Sequence, residues 1–443
     1  MPSASPEPPG SPEADRRSIV FDSGRCVGCV ACCKACPTGA IRVRNGCAEA
    51  DLDLCIDCGE SIRWCRHGAV HAVTAKPADL RRFRYTVAFP ALTLYSQFGR
   101  DVDPGQVLEA LRTVGFDEVQ DLSAMCDLHA SATDAWLTEC RGPWPKISVT
   151  CPAVIHLILL NYPDLVENLL PIEPAREVAA KLLRRRLSAE KGLAPHEIGI
   201  FFITPCAAIR HSIHHPVGRG ASNLDGAFGI SELYGPLLRA VRSSGPAEDP
   251  PSISRRGLLW AMAGGEIAGL RDANTITVGG VRDVVRLFDH VEEGKLQAID
   301  FVEACACPDG CISGPLTVED RYAARRTLQH LVRRQSQRAG DDPVVTEERA
   351  RAMLREHSFD LEEHLQARPL RPLGRDLREA AERRRESERI LASLPGKDCA
   401  ACGAPTCAAH AGDVVRGRAA LEECVFVRLA GHADSAPSEE ARR

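Results

Sequence analysis

The spacing of the cysteines constrains this chain more than any other feature of its sequence. Fifteen of the twenty cysteines fall into runs whose spacing matches iron–sulfur ligation. The first run reads C-x2-C-x2-C-x3-C-P and ends at Pro37. Three thiolates of such a run can hold one cubane, and the fourth usually ligates the other cluster of a two-cluster domain. Zinc and disulfides are the alternatives, and neither requires a run of this form.

A second and incomplete run follows, in which Ser61 occupies the place of the expected third thiolate. Exchange of the outer ligands between the runs predicts two [4Fe–4S] sites. The two ligand sets are Cys26, Cys29, Cys32 and Cys65, and Cys36, Cys55, Cys58 and Ser61. Because an alkoxide is a harder ligand than a thiolate, the second site is expected to hold either a [4Fe–4S] cluster of lowered potential or a [3Fe–4S] cluster.

Length and composition indicate an intracellular protein of several domains. A chain of 443 residues predicts two to four domains. The formal net charge of −5 gives no sign of nucleic-acid binding. Residues 1–17 are rich in Pro, Ser and Glu and predict a disordered tail without a secretory signal. The longest apolar run, Val154–Leu160, is too short for a membrane span. The expected location is the cytoplasm, where many cysteines indicate metal rather than disulfides.

The rest of the chain divides into four blocks. Residues 18–75 are expected to form a small α+β two-cluster ferredoxin-like domain. Residues 83–335 alternate strand-like and helical patterns, which predicts an α/β core of parallel sheets with helices. Residues 345–390 are rich in Arg and Glu, which favours a solvated helical connector over a partner-binding helix. Residues 391–426 form a small C-terminal domain. The predicted strands are Tyr85–Phe89, Glu118–Leu122, Lys146–Thr150, Glu197–Thr204 and Thr275–Val278, and a helix is predicted at Gln106–Val114.

The C-terminal block carries a four-cysteine signature behind a Leu-Pro-Gly segment that begins at Leu394. It resembles the small [4Fe–4S] domain of the B subunit of Rnf electron-transport complexes and of corrinoid iron–sulfur proteins. Zinc competes on spacing alone, but the cluster-binding runs elsewhere in the chain favour iron and sulfur. The expected ligands are Cys399, Cys402, Cys407 and Cys424.

Three loops of the middle block follow predicted strands and carry cysteine next to proline. The carboxyl ends of parallel strands are where α/β sheets build their sites, so these loops are expected to meet. The loops are Val149–Ala153, Ile203–Ala208 and Phe301–Pro315. Their cysteines are Cys151, Cys206, Cys305, Cys307 and Cys311.

This order of motifs resembles the [FeFe]-hydrogenase large-subunit family over most of residues 18–335. The resemblance implies a [4Fe–4S] cubane on Cys151, Cys206, Cys307 and Cys311. It also implies that Cys311 bridges to a diiron unit with CO, cyanide and azadithiolate, which together form the H-cluster. The arrangement of two N-terminal clusters, hydrogenase domain and C-terminal four-cysteine domain is similar to the branch to which a sensory role is ascribed.

Several positions depart from the family's pattern. Thr150 stands where the family has a proton-relaying cysteine, and a hydroxyl, with its much higher pKa, should relay protons more slowly. Ile209 stands where a lysine contacts cyanide, although Arg210 is adjacent. Cys305 replaces a methionine and is either a substitute proton carrier or a small core thiol. With Glu303 of the third loop, these residues are the candidate catalytic positions.

The leading hypothesis is an oxidoreductase that interconverts H2 with protons and electrons at low turnover, with catalysis or hydrogen sensing as its role. The alternatives are a Narf-like iron–sulfur protein without the diiron unit, and a pure electron-transfer or interaction module. The expected partners are a ferredoxin-like redox protein or a signalling protein, the hydrogenase maturases and, as an open question, a second copy of the chain.

Other cysteine and histidine positions receive structural interpretations. Spare thiols are predicted at Cys33, Cys47, Cys126 and Cys140. The histidines His211, His214 and His215 fit a polar turn better than a metal site.

Overall fold

The computed structural model describes residues 18–139, 142–245, 253–271, 273–338, 347–368 and 372–434. The predicted tail, residues 1–17, and Cys140 lie outside these ranges. The chain divides into two compact units. Unit 1 contains the described parts of Met1–Ile19, Ile56–Gly59 and Ala72–Arg368. Unit 2 contains those of Val20–Cys55, Glu60–His71 and Pro369–Arg443.

Unit 1 contains a parallel sheet with strand order Glu118–Val119, Tyr85–Pro90, Ile198–Thr204 and Gly226–Gly229. Every residue of Ile198–Thr204 is buried, as is usual for a continuous apolar strand with both faces covered. The predicted strand at 118–122 ends early. Asp121 accepts a hydrogen bond from the Ser123 N–H at 2.8 Å, which turns the chain into the next helix.

A second parallel sheet of unit 1 has the order Thr275–Gly279, Phe301–Cys305 and Lys146–Ile147. Both sheets confirm the predicted α/β core. The strand predicted at 146–150 is shorter, because after Ser148, whose N–H still bonds Val302 O at 2.9 Å, the chain leaves the sheet to form the first cysteine loop.

Helices surround the two sheets of unit 1. Asp103 caps the helix predicted near Gln106, since its side chain accepts from the Gly105 N–H at 3.0 Å. None of the helices within the described ranges has the length and apolarity that a bilayer span requires. The helices of unit 1 are Pro77–Leu80, Pro104–Thr113, Ser123–Glu139, Pro152–Asn161, Ala175–Lys191, Ala207–His214, Ile230–Ser243, Arg255–Leu259, Val281–Glu292, Arg321–Arg338 and Glu347–Arg355.

The first part of the expected connector packs into unit 1 rather than lying in solvent. Ala350 and Phe359 are fully buried, and Phe359 O accepts the Glu173 N–H at 2.6 Å. Arg368 donates to His156 Nδ1 at 2.9 Å. The charged composition of the segment conceals these few apolar anchors, so composition alone gave an incomplete description. The second part, the helix Leu377–Ser393, belongs to unit 2.

Unit 2 combines the N-terminal cysteine runs with the C-terminal block. Ile41–Arg44 and Cys47–Ala50 form an antiparallel hairpin, and Ile19–Phe21 pairs with Val70–Ala72. A small apolar cluster under the hairpin contains Cys33, Ile41 and Ala48. The helices associated with this unit are Ala31–Ala35, Glu60–Trp64, Leu377–Ser393, Cys407–Val415 and Val425–Asp434.

Candidate metal centres

The four cysteines predicted from the three loops come together in unit 1. Burial and the nearby sulfurs of Cys206, Cys307 and Cys151 hold the pKa of the Cys311 thiol well above its usual range. Mutual repulsion of this kind requires the sulfurs to be close neighbours. The thiols of the three loops are therefore electrostatic neighbours within unit 1, and their role as ligands of one cluster stays a prediction.

Two of these cysteines immediately precede helices. Cys151 is the N-cap residue of Pro152–Asn161, and Cys206 is the N-cap residue of Ala207–His214. The pKa of Cys206 rises to about 11, mainly through burial and then through Cys151, while the backbone N–H of Ile209 and the guanidinium of Arg176 oppose the rise. Helix N-termini stabilise negative charge, so both positions favour bound thiolates over free ones.

Arg176 is a buried cation that interacts electrostatically with this sulfur set. It is 7% exposed and donates to Thr150 O at 3.1 Å and to Ser212 Oγ at 3.4 Å. Its pKa is lowered chiefly by burial, and the sulfurs of Cys206 and Cys151 work in the opposite direction. A buried guanidinium here offsets part of the negative charge that four thiolates introduce.

Glycine allows the third loop to approach the second. A Cβ on Gly314 would lie 2.5 Å from Pro205 O, and the Leu316 N–H donates to that same oxygen at 2.8 Å. Gly310 has φ +80°, and its Cβ would lie 2.4 Å from Ala263 N. Glycine is therefore required on both sides of Cys311 for the sulfur to reach its neighbours.

A buried pair of carboxyl groups, Glu266 and Glu303, lies beside the sulfur set. They are 3% and 4% exposed. Glu303 accepts from the Gly264 N–H at 2.9 Å and from the Ile267 N–H at 3.2 Å. Burial, followed by repulsion from Glu303, raises the pKa of Glu266 to about 8. Burial also raises the pKa of Glu303, although its backbone N–H donors oppose the rise. The two carboxyl groups therefore form a coupled pair that keeps a proton to higher pH than a free carboxyl group does.

The acid pair connects to the first cysteine loop through Ser148. The Ser148 hydroxyl donates to Glu266 Oε2 at 2.6 Å and accepts from the Thr150 N–H at 3.1 Å. Thr150 Oγ1 and Glu266 Oε1 are both buried without a hydrogen-bond partner of good geometry, although the Thr150 hydroxyl acts on the pKa of Glu266 as a lowering neighbour. A small side-chain rotation would let the Thr150 hydroxyl and the Glu266 carboxyl group form a hydrogen bond. A proton carrier needs such a hydrogen bond.

The remaining catalytic candidates fall into two environments. Cys305 Sγ lies 4.0 Å from Glu303 Oε1, and its pKa is held well above the usual range by burial and by Glu303. Ile209 is 6% exposed within the main apolar core. Arg210 donates to Ser18 Oγ at 3.3 Å, which gives its guanidinium a contact outside the sulfur set.

The histidine run does not form the expected polar turn. His211 and His214 lie in the helix Ala207–His214. The His211 ring packs edge-on against His156 with 4.9 Å between ring centroids, and its Nδ1 lies 3.1 Å from Asp57 Oδ2. The run continues the helix that Cys206 begins, so helical spacing turns His211 inward. Burial, then the neighbouring His215, lowers the pKa of His211 to about 3.

In unit 2, one set of N-terminal cysteines surrounds a small cavity. Cys26, Cys29, Cys32 and Cys65 all line it, which is the set that ligand exchange between the runs predicted. The pKa of Cys32 rises to about 11, mainly through burial. The other predicted set is distributed differently: Cys58 belongs to unit 1, and Cys36, Cys55 and Ser61 belong to unit 2. Ser61 is 6% exposed.

The four C-terminal cysteines also surround one small cavity. Cys399, Cys402, Cys407 and Cys424 line it together with Leu394 and His410. Thr406 caps the helix that starts at Cys407, since its hydroxyl accepts from the Ala409 N–H at 3.0 Å. The pKa of Cys402 is raised by burial first, with Cys424 and Cys399 adding to it.

The donor chemistry fits iron–sulfur clusters at three places. Each of these sets consists of four thiols, which are soft ligands suited to such clusters. Within the described ranges, no three His, Cys, Asp or Glu side chains are drawn close enough to hold a single metal ion. A diiron unit held by Cys311, as the family resemblance implies, would require a match with Thr150, whose buried Oγ1 has no hydrogen-bond partner, and with the apolar side chain of Ile209.

Sequence reasoning missed Glu266, Ser148 and Arg176. Ser148 lies only two residues before Thr150 and could have been suspected from that position. Glu266 follows two glycines in a stretch without a motif, and Arg176 stands in an Arg-rich helix that resembles a solvated one. Neither residue carries a signal until the fold brings it beside the cysteines.

Comparison with known proteins identifies the families that this chain resembles. The family model described as "Iron only hydrogenase large subunit, C-terminal domain" matches residues 84–236 and 256–315. A second model, described as "Putative Fe-S cluster", matches residues 394–426. Iron hydrogenase 1 of Clostridium pasteurianum is 22% identical over 263 residues, which cover 49% of this chain and 46% of that protein. The match thus spans less than half the length of that curated relative.

Solved structures give more distant similarities. A variant of [FeFe]-hydrogenase HydA1 from Chlamydomonas reinhardtii aligns with a TM-score of 0.47 at 15% identity, over 66% of this chain and 98% of that one. An apo form of another HydA1 variant gives 0.47 at 16% identity, over 67% and 98%. The family assignment depends on the family models and the three-loop cysteine pattern. This chain belongs to the [FeFe]-hydrogenase large-subunit family, and it is an iron–sulfur protein with a hydrogenase-type domain.

Proposed function

We propose that the chain interconverts H2 with protons and electrons at an H-cluster, at low turnover and in a role compatible with hydrogen sensing. One observation carries the proposal: cysteines of three loops are neighbours of a buried pair of carboxyl groups, and burial raises the pKa of both carboxyl groups. A simple electron carrier has no need of a proton store beside its cluster. An enzyme that handles protons at a metal needs one within hydrogen-bonding reach.

The residues that would hold the group are Cys151, Cys206, Cys307 and Cys311, with Cys311 as the bridge to the diiron unit. When bound, that unit supplies an open iron position and a bridging amine base. The chain's own residues do the rest. The helix N-termini behind Cys151 and Cys206 and the guanidinium of Arg176 stabilise the negative charge of the cluster.

Proton handling falls to the residues on one side of the sulfur set. Protonated Glu266 is positioned to exchange its proton with the Thr150 hydroxyl or with Ser148. Glu303, held in place by backbone N–H donors, shares the proton of the acid pair with Glu266 and lies 4.0 Å from Cys305 Sγ. Because a hydroxyl replaces a thiol at position 150, proton transfer should be the slow step.

The accessory clusters would carry electrons, with the ligand sets predicted from the sequence. The segment Ile56–Gly59, which contains Cys58, packs within unit 1. A Cβ on Gly59 would lie 2.4 Å from Pro315 Cγ, four residues beyond Cys311. Cys58, a predicted ligand of an accessory cluster, therefore lies in the chain segment that contacts the third loop. A ferredoxin-like or signalling protein in the cytoplasm would be the external partner, after the maturases have acted.

The test is hydrogen turnover by protein matured with the diiron unit. Wild type should evolve H2 from a reduced viologen, and Cys311→Ala should evolve none. Cys126→Ala is the matched control, since Cys126 is a buried thiol of the apolar core and is not among the predicted ligands, and this variant should keep its activity. If wild type with a full H-cluster gives no H2 under reducing conditions, the proposal is wrong.

A second candidate function is an iron–sulfur protein that keeps the cubane and lacks the diiron unit. It is favoured by Ile209, whose side chain belongs to the apolar core where a lysine would hold cyanide in the resembling family. Cubane iron together with an infrared spectrum free of CO and cyanide bands, after exposure to active maturases, would favour this function over the first.

A further inference from the structure

The C-terminal four-cysteine block is in direct contact with the N-terminal cysteine module inside unit 2. Gly403, which follows Cys402, offers its carbonyl oxygen to the Val43 N–H at 2.8 Å. The same oxygen accepts from Cys33 Sγ at 3.5 Å. Val43 lies in the hairpin strand Ile41–Arg44. The loop that carries Cys402, a predicted ligand of the C-terminal cluster, is therefore hydrogen-bonded to a strand of the N-terminal cysteine module.

Glycine is the residue this contact requires. Gly403 has φ +80°, and a Cβ there would lie 1.8 Å from Val43 O. Gly417, in the same block, also has a positive φ, +69°, but its Cβ would meet nothing within 4 Å. The backbone conformation is alike at both positions, and only Gly403 is pressed against another module.

A network of ion pairs lies at the same interface. Asp413, whose side chain is 6% exposed, accepts from Arg42 Nε at 2.5 Å and from Arg44 Nη2 at 2.9 Å. At the rim, Arg418 pairs with Asp51 at 3.1 Å. Separation of the modules would break both ion pairs of this buried carboxylate. These pairs therefore join the C-terminal block to the hairpin.

The contact also joins residues that adjoin ligands of the two predicted clusters. Cys33 is fully buried, follows Cys32, a predicted ligand, and donates through its Sγ to the carbonyl oxygen of Gly403 at 3.5 Å. Gly403 follows Cys402, a predicted ligand of the C-terminal cluster, so this hydrogen bond connects the two ligand loops.

We propose that the C-terminal four-cysteine domain is a docked relay that exchanges electrons with the N-terminal clusters through the Gly403–Val43 contact, rather than a module tethered to the end of the chain. This inference rests on the proposed cluster assignments of both sets. In the step, one electron leaves the reduced C-terminal cluster, which is oxidised, and reduces an N-terminal cluster. No other bond changes and no proton moves. Tunnelling falls steeply with distance, so the docked geometry governs the rate.

The experiment uses the full-length protein with reconstituted clusters. EPR spectra of the reduced wild type should show the C-terminal cluster magnetically coupled to an N-terminal one. Asp413→Asn should weaken this coupling while total iron is unchanged, and Glu422→Gln, an exposed acidic position of the same block, should leave it intact. Gly403→Ala should abolish the coupling, and Gly417→Ala should preserve it.

Hydrogen exchange at the Val43 amide provides a readout independent of the clusters. Asp413→Asn should accelerate exchange by about tenfold or more, because the carboxylate that holds the modules together is gone. Glu422→Gln should not change it. A C-terminal cluster that is present but magnetically isolated, or a Val43 amide unaffected by Asp413→Asn, overturns the docked relay. Iron analysis that lacks a C-terminal cluster overturns the cluster assignment instead, so the two failures are distinguishable.

Discussion

The three-loop sulfur set of unit 1 and the sulfur sets of unit 2 use the same ligands in opposite surroundings. Beside Cys311 lie a buried acid pair, an orphaned hydroxyl and a buried guanidinium. In unit 2, Cys29 and Cys399 are exposed, and the neighbouring charges of Arg42 and Asp413 are satisfied by each other.

This difference distinguishes a metal site suited to proton chemistry from clusters that only transfer electrons. A cluster that only passes electrons benefits from an exposed edge and from neighbours that hold it in place. A centre that moves protons needs titratable groups whose pKa values have been displaced towards neutrality, and burial is the means of displacing them. Burial raises the pKa of Glu266 to about 8, so Glu266 is such a group. The contrast supports the proposed proton chemistry in unit 1 and the proposed electron transfer in unit 2.

Removing a predicted cluster ligand, in unit 1 or in unit 2, should have the largest effect on cluster content and hydrogen turnover. Cys206→Ala should eliminate the unit 1 cluster and all hydrogen turnover. Cys399→Ala should eliminate only the C-terminal cluster and leave the CO and cyanide bands unchanged. Iron analysis with infrared spectroscopy measures both. Equal losses of turnover and of infrared bands in the two variants would contradict the separation of roles.

Glu266→Gln removes the proton store while keeping the shape of the side chain. We expect hydrogen turnover to fall by about 100-fold or more, with unchanged iron content and infrared bands. The control is Glu292→Gln, which alters an exposed acid at the end of the helix Val281–Glu292. A Glu266→Gln enzyme of normal rate would show that protons reach the site by another route.

Thr150→Cys restores a thiol at the relay position. If proton transfer limits turnover, the rate should rise by about tenfold, and the infrared bands should hardly move. Thr150→Ser keeps a hydroxyl and should behave like wild type. An unchanged rate in Thr150→Cys, together with loss of activity in Cys305→Ala, would place the proton route in the third loop.

Glu266 should also make stability depend on pH. Its pKa is raised from 4.5 to about 8 in the folded chain, so folding favours the protonated form. The stabilisation is complete below about pH 4.5 and is lost as pH rises towards 8, by up to about 1.4 kcal/mol per pH unit. Denaturant midpoints of wild type and Glu266→Gln should therefore diverge across this window. Parallel curves would mean that the carboxyl is not buried and neutral.

The smallest effect on turnover should come from Ser61→Cys in the peripheral set. The change gives the second predicted cluster a fourth thiolate, so an atypical EPR species should become an ordinary [4Fe–4S] signal. Hydrogen turnover should stay within about twofold of wild type if proton transfer limits the rate. A wild-type spectrum that already shows an ordinary signal would remove Ser61 from the ligand set.

The sequence predicted the parallel α/β core, because the apolar strand Ile198–Thr204 and the cysteine loops have strong local signals. It also predicted which N-terminal cysteines, including Cys65, share a cavity, since the ligand-exchange rule is a property of spacing. It did not reveal Glu266, Arg176 or the contact of Gly403 with Val43. These arise from residues far apart in the chain, and a lone Glu or Gly has no periodicity that reports its distant neighbour. The inward turn of His211 was missed because helical continuation past Cys206 looked like a turn before Pro216.

The central claim is that the unit 1 sulfur set carries a complete H-cluster, and infrared spectroscopy of the matured protein tests it most directly. The account predicts CO and cyanide bands that disappear in Cys311→Ala while the iron of the unit 2 clusters is retained. A matured wild type that contains the unit 1 cubane and shows no CO or cyanide bands would contradict the account.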